Sequence, residues 1–93
     1  MSKEKTLEQY LKQQVESRGG IYYKFTSPGH NGVPDRIVIT DQGDVHFVEL
    51  KAPGKTPRPL QLKELRRIKA TGASAVWFDT KEKADRFIRG AFH

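Results

Sequence analysis

Between two runs with β-strand patterning, 35–40 and 45–51, lies Asp41-Gln42-Gly43. A loop of three residues with glycine in the left-handed position closes an antiparallel hairpin and fixes its register. Thr40 then pairs with Asp44, Ile39 faces Val45, Ile37 faces Phe47, and Asp35 faces Glu49. Directly opposed residues share a sheet face, and side chains alternate between faces along a strand. Asp35, Glu49 and Lys51 therefore converge at one end of the hairpin, above an apolar floor of Ile37 and Phe47. A slip of one residue would turn the whole set to the other face, so this reading stands or falls with the register.

The remaining segments fall around the hairpin. Residues 6–18 have a helical pattern: Thr6 and Gln9 are spaced as a capping box, Leu7, Tyr10, Leu11 and Val15 share a face, and Gly19-Gly20 ends the run. Residues 21–26 are β-branched and aromatic, as a strand requires, and 27–34 hold two Gly, two Pro and an Asn, as a loop does. After a Pro-rich loop at 52–59, residues 60–71 give a second helix with Leu62, Leu65 and Ile68 on one face. A fourth strand follows at 74–79, and a terminal helix at 81–89 carries Ala84, Phe87 and Ile88. The order predicts an α/β fold whose mixed sheet, flanked by helices, combines an antiparallel meander with a helical crossover to the last strand. With 93 residues, the segment 1–93 forms one domain with one modest core.

Seventeen Lys and Arg against eleven Asp and Glu give a net charge of +6, which favours a polyanionic partner such as nucleic acid. The absence of cysteine excludes disulfides, zinc fingers and thiol catalysis. No apolar run approaches the roughly 20 residues of a membrane span, and the first ten residues lack the apolar stretch of a signal peptide. The expectation is a soluble, cytoplasmic protein.

Opposed carboxylates repel, and a fold that keeps them together is helped by a cation between them. Hard ions such as Mg²⁺ take oxygen ligands, commonly one or two carboxylates completed by water and substrate phosphate. A lysine two residues beyond Glu49 adds a positive charge beside that position. A divalent ion, a lysine and an anionic partner are the ingredients of phosphodiester hydrolysis. A plain surface Glu–Lys pair and a turn aspartate would show the same residues; their three-way convergence favours the site. Two further polar residues stand near apolar stripes: Glu8 beside Leu7, Leu11 and Val15, and Gln61 one turn before Leu65 and Ile68. Each alone reads as a solvated boundary residue, and together with the sheet cluster they read as parts of one site. Glu16 lies opposite the stripe, and Glu4 precedes the cap.

Gly32-Val33-Pro34-Asp35, thirteen residues, then Glu49-Leu50-Lys51, resembles the PD-(D/E)XK nuclease superfamily. With the upstream helical Glu8, the downstream Gln61 and the αβββαβ order, the chain is similar to the virus-type replication-repair nuclease (VRR-NUC) family, and to its small stand-alone phage and bacterial forms in length. The resemblance spans roughly residues 8 to 78. It implies a restriction-endonuclease-like core and a Mg²⁺- or Mn²⁺-dependent DNA endonuclease. Asp35, Glu49 and the Leu50 carbonyl would ligate the metal, Lys51 would be the catalytic lysine, Glu8 would assist the metal directly or through water, and Gln61 would bond into the network. It also implies a homodimer, branched or four-way junction (Holliday junction) DNA as substrate, and the cytoplasm of a bacterium or phage-infected cell.

Several residues carry two readings. His30, in the loop before Asp35, either touches a phosphate or is a solvated loop histidine, and Lys55 and Arg58 either bind phosphates flanking the site or are simply solvated. Lys63, Arg66, Arg67 and Lys69 form a DNA face or a soluble helix surface. His46 points away from Glu49; Trp77 reads as core packing; Ile88, Ala91 and Phe92 either join a dimer or pack on the sheet. A non-catalytic nucleic-acid-binding module, and a restriction-type or RNA-cleaving nuclease, are the competing functions.

Overall fold

In the computed structural model, which describes residues 3–93, the hairpin register is the one that the three-residue loop dictates. Strands β2 (Arg36–Ile39) and β3 (Val45–Leu50) pair antiparallel with Ile39 opposite Val45 and Ile37 opposite Phe47. Thr40 N–H donates to the Asp44 carbonyl, and Gly43 takes φ +86°, the left-handed conformation that a three-residue loop needs. The Thr40 hydroxyl closes the loop by accepting from the Gln42 and Asp44 amides. The ladder stops at Arg36 opposite Val48, so Asp35 stands one step beyond the last paired residue. Its backbone is still held, because its carbonyl accepts from Phe25 N–H at 2.8 Å.

Strand β1 (Ile21–Lys24) pairs antiparallel with β2, and β4 (Ser74–Phe78) runs parallel to β3, giving the order β1-β2-β3-β4. Helices α1 (Lys3–Ser17), α2 (Pro59–Ala70) and α3 (Lys81–Ala91) flank this mixed sheet. Helix α1 begins three residues before the expected cap, so Thr6 lies inside it and the predicted Thr6–Gln9 capping box does not form its start. Lys3, Glu4 and Lys5 are good helix formers, and Glu4 suits the positive end of the helix dipole. A one-sided side-chain cap occurs instead at α2, where the Gln61 side-chain oxygen accepts from Arg58 N–H at 2.8 Å and Pro59 opens the helix.

One sheet face carries the core. Val38, Val48, Leu50 and Phe78 pack there against Leu7, Leu11 and Val15 of α1 and Ala84 and Ile88 of α3. Burying each Val, Leu, Ile or Phe side chain contributes about 1.5–3 kcal/mol. Trp77 was expected in the core, but strand alternation gives that place to Phe78, and Trp77 sits half-buried on the opposite face next to Glu49 in register. Ile88 and Ala91 are also interior, at 2% and 5% exposure, and Phe92 packs against the same cluster. That removes Ile88 and Ala91 as surface for a partner and leaves Phe92 partly covered.

The second face is covered unevenly. Helix α2 lies over β4 and leaves β1, β2 and the first half of β3 open. Ile21, Tyr23 and Val45 are 44–57% exposed there, with Ile37, Ile39 and Phe47 partly exposed beside them. The buried stripe of α2 is Gln61, Glu64 and Leu65 rather than the expected Leu62, Leu65 and Ile68. The helix is turned so that a polar residue of its first turn faces the sheet.

Candidate active site

The end of β3 sets the site. Alternation turns Phe47 and Glu49 to the α2 face and Val48 and Leu50 to the core, and Glu49 ends only 5% exposed. Its partners are few. Lys51 Nζ lies 3.5 Å from Oε2, and Gln61 Nε2 donates to the same oxygen at 3.3 Å. Because the Gln61 carbonyl oxygen is already taken by Arg58 N–H, the amide has one orientation left, with its NH₂ toward Glu49. Burial first, and the negative charge of Asp35 second, hold the Glu49 carboxyl above the usual carboxylate range, against the opposing pull of Lys51 and Arg36. A buried carboxylate under repulsion from a second one is a position that gains from a cation.

Asp35 is more open, its side chain 55% exposed, and its Oδ1 pairs with Arg36 Nη1. Lys51 is mostly covered, and its amide donates to the Phe78 carbonyl, which carries the β3–β4 pairing one residue past the strand. The loop that follows is tied down by Asp79, whose carboxylate accepts from Gly54 N–H at 2.8 Å and from Lys83 Nζ at 2.9 Å. Those two donors lower the Asp79 carboxyl. Sequence reasoning gave Asp79 no role, and no local pattern announces a contact that spans 25 residues.

Glu8 stands apart from this pair. It projects from α1 on the core side of the sheet, where its Oε2 accepts from the Tyr22 hydroxyl at 2.8 Å and from Arg36 Nε. Lys24 Nζ is 3.9 Å away. Burial opposes its ionisation, but Tyr22, Arg36 and Lys24 outweigh that and bring the Glu8 carboxyl below its ordinary value. Glu8 therefore meets Asp35 through the Arg36 guanidinium. Among the described residues no group of three His, Asp or Glu side chains is arranged around a common point. Asp35 and Glu49 are close enough for the charge of one to act on the other, and carboxylate oxygens are the donors that a hard cation takes, completed by water and phosphate.

Lys55 and Arg58 are exposed on the segment between Lys51 and α2, and Lys63, Arg66, Arg67 and Lys69 are exposed along α2. Arg67 pairs with Glu64 at 3.0 Å. His30 is exposed and lines a cleft with Glu64, Arg67, Ile68 and Thr71, so its neighbours there lie on α2 and at its C-terminal cap. His46 lies on the α3 side of the sheet, as expected, with Nδ1 2.6 Å from the Ser74 hydroxyl and its ring edge-on to Phe87. No described helix is long and apolar enough to cross a membrane.

Comparison with known proteins bears on this geometry. The chain is 45% identical over 80 residues to "Putative nuclease p44" of Acyrthosiphon pisum secondary endosymbiont phage 1, a match covering 86% of each. A solved structure of a VRR_NUC domain superposes with a TM-score of 0.89 at 32% identity, spanning 96% of this chain and 97% of that one. No family model matches the sequence.

Proposed function

The chain belongs to the VRR-NUC family of nucleases, and from that premise we propose that it is a divalent-metal-dependent endonuclease that cleaves DNA, with branched DNA as its preferred substrate. The observation that carries the metal dependence is Glu49, a carboxylate 5% exposed, repelled by Asp35 and only partly compensated by Lys51 at 3.5 Å. Asp35, Glu49 and the Leu50 carbonyl would hold Mg²⁺ or Mn²⁺. Such an ion supplies Lewis-acid polarisation of a phosphoryl oxygen and lowers the pKa of water.

The chain's own groups divide the rest of the work. Gln61 fixes the Glu49 rotamer through a hydrogen bond whose other end is anchored at the start of α2. Lys51 places an ammonium beside Glu49, where it stabilises charge that develops on the phosphate in the transition state. Lys55 and Arg58 contact flanking phosphates, which positions the strand without reading bases. Glu8 supports the site at one remove, through Arg36.

Paired cuts on opposing strands need two sites, and a two-fold homodimer supplies them. With Ile88 and Ala91 interior and Phe92 packed against the core, the open face of β1, β2 and the start of β3 is the apolar surface that a second copy would cover, through Ile21, Tyr23 and Val45. Light scattering should then give about 21 kDa, twice the chain mass of 10.6 kDa. A monomer at micromolar concentration that binds duplex and junction equally would remove the branched-DNA reading and leave a general nuclease.

The test of the reaction is a labelled panel of single strands, duplexes, flaps and four-way junctions, in DNA and RNA, with Mg²⁺, Mn²⁺, Ca²⁺ or EDTA. Cleavage of DNA with Mg²⁺ or Mn²⁺, its loss in EDTA, and a drop of at least about two orders of magnitude in Lys51→Ala are expected. Undiminished cutting in EDTA overturns the metal mechanism, and preferred cutting of RNA overturns the substrate.

A further inference from the structure

Arg36 is a residue whose position neither strand alternation nor the metal site explains. Its place in β2 turns it to the core side of the sheet with Val38, away from Asp35 and Glu49. Yet its guanidinium reaches around the strand end. Nε donates to Glu8 Oε2, and Nη1 pairs with Asp35 Oδ1 and donates to the Asp35 carbonyl at 3.4 Å. The side chain is only 12% exposed. A planar fork of fixed donors is suited to holding two carboxylates in one geometry, as a flexible ammonium is not.

The two carboxylates come from different elements. Glu8 belongs to α1, and Asp35 stands just before β2. Glu8 Oε2 already has the Tyr22 hydroxyl, Arg36 and, at 3.9 Å, Lys24 around it, so its charge is met from within the chain. Asp35 gives Oδ1 to Arg36, and no hydrogen bond engages its Oδ2 among the described residues. Glu49 likewise commits only Oε2, to Lys51 and Gln61. The uncommitted oxygens are thus one on Asp35 and one on Glu49.

We propose that Arg36 is a positioning residue that acts as a built-in cation between Glu8 and Asp35, orienting Asp35 and limiting the site to a single divalent ion per chain. The inference rests on the metal-dependent reading above. Glu8 is then a holder of Arg36 and makes no bond to the ion. Arg36 touches no reacting atom.

Calorimetric titration with Mn²⁺, on protein checked for folding by circular dichroism, tests this without any cleavage assay. The wild type should bind one Mn²⁺ per chain. Arg36→Gln, which removes the guanidinium between Glu8 and Asp35 and leaves only the exposed Lys24 beside Glu8, should bind two. Arg36→Lys keeps the charge and should return the stoichiometry to one. Glu8→Gln should also bind one ion, with an affinity within about threefold of the wild type, whereas loss of a true ligand or its immediate support costs 10- to 100-fold. Two ions in the wild type, one in a folded Arg36→Gln, or a tenfold weakening in Glu8→Gln overturns the inference and leaves the metal-dependent reading intact. A wild type that binds no Mn²⁺ overturns both. Should Arg36→Gln fail to fold, the wild-type stoichiometry and the Glu8→Gln affinity still decide.

Discussion

Gly32 offers a measurement of how tightly the loop before Asp35 is locked to the helix that carries Gln61. Its φ is +85°, and a methyl group there would stand 2.9 Å from both Leu60 Cγ and the Leu60 carbonyl oxygen and 3.0 Å from the carbonyl carbon. Gly29, three residues earlier in the same loop, has φ +81° and nothing within 4 Å of the same added atom. The two positions share the conformational penalty and differ in the contact. Left-handed backbone costs an L-residue about 1–2 kcal/mol, partly offset by about 0.4–1 kcal/mol from the stiffer unfolded chain. Gly29→Ala should therefore lose about 1 kcal/mol. Gly32→Ala adds an overpacking term of about 1–3 kcal/mol, because two of the atoms it meets are backbone and cannot rotate away. At this chain length 1 kcal/mol moves Tm by about 4–8 °C. Thermal unfolding in EDTA should show Gly32→Ala falling at least twice as far as Gly29→Ala. Leu60 directly precedes Gln61, so a displaced first turn should also weaken the hold on Glu49, and cleavage should fall in Gly32→Ala beyond what Gly29→Ala loses. Equal Tm losses in the two variants would refute the reasoning.

Glu49 sits above the ordinary carboxylate range, so the protonated fold is favoured and stability falls as pH rises from the ordinary carboxylate pKa through the raised one. Glu49→Gln should accordingly melt higher than the wild type in EDTA at neutral pH and lose the rise in Tm that Mg²⁺ or Mn²⁺ gives the wild type; a lower Tm in EDTA contradicts the electrostatic account. Burial lowers the His46 imidazole, so its contribution is present above the unfolded value of about 6.5 and is lost as pH falls through the folded one. Urea unfolding at pH 7.5 and 5.0 should show a smaller acid loss in His46→Gln than in the wild type, and identical losses would exclude this origin. Lys55→Ala and Arg58→Ala should each reduce the salt slope of DNA binding by about one unit, and an unchanged slope would take that residue off the phosphate path.

The sheet, its register and the placement of Glu49 were legible because they rest on local rules. A three-residue loop with glycine fixes a hairpin, and a period of two then decides which side chains share a face. Gln61 was legible for a similar reason, as a polar residue on a helical stripe one turn from Leu65. What was not legible depends on reach and on competition. Arg36 belongs to the wrong face by alternation, and only the length of its side chain brings it round the strand end to Asp35. The same guanidinium takes Glu8 Oε2, with Tyr22 holding that carboxylate from β1. Trp77 and Phe78 both suit a core; their registers opposite Glu49 and Leu50, set by a parallel partner distant in sequence, gave the interior to Phe78. The start of α1 was misplaced because a good cap residue, Thr6, follows three residues that also favour helix.

The central claim is that a divalent ion sits between Asp35 and Glu49, and the most direct measurement is anomalous scattering from crystals of the protein grown with Mn²⁺. The account calls for one peak per chain, within bonding distance of Asp35, Glu49 and the Leu50 carbonyl, with Arg36 still bridging Glu8 and Asp35. A peak at Glu8 or Asp79 in place of that position, or no ordered Mn²⁺ beside Glu49 at concentrations that support cleavage, would contradict it.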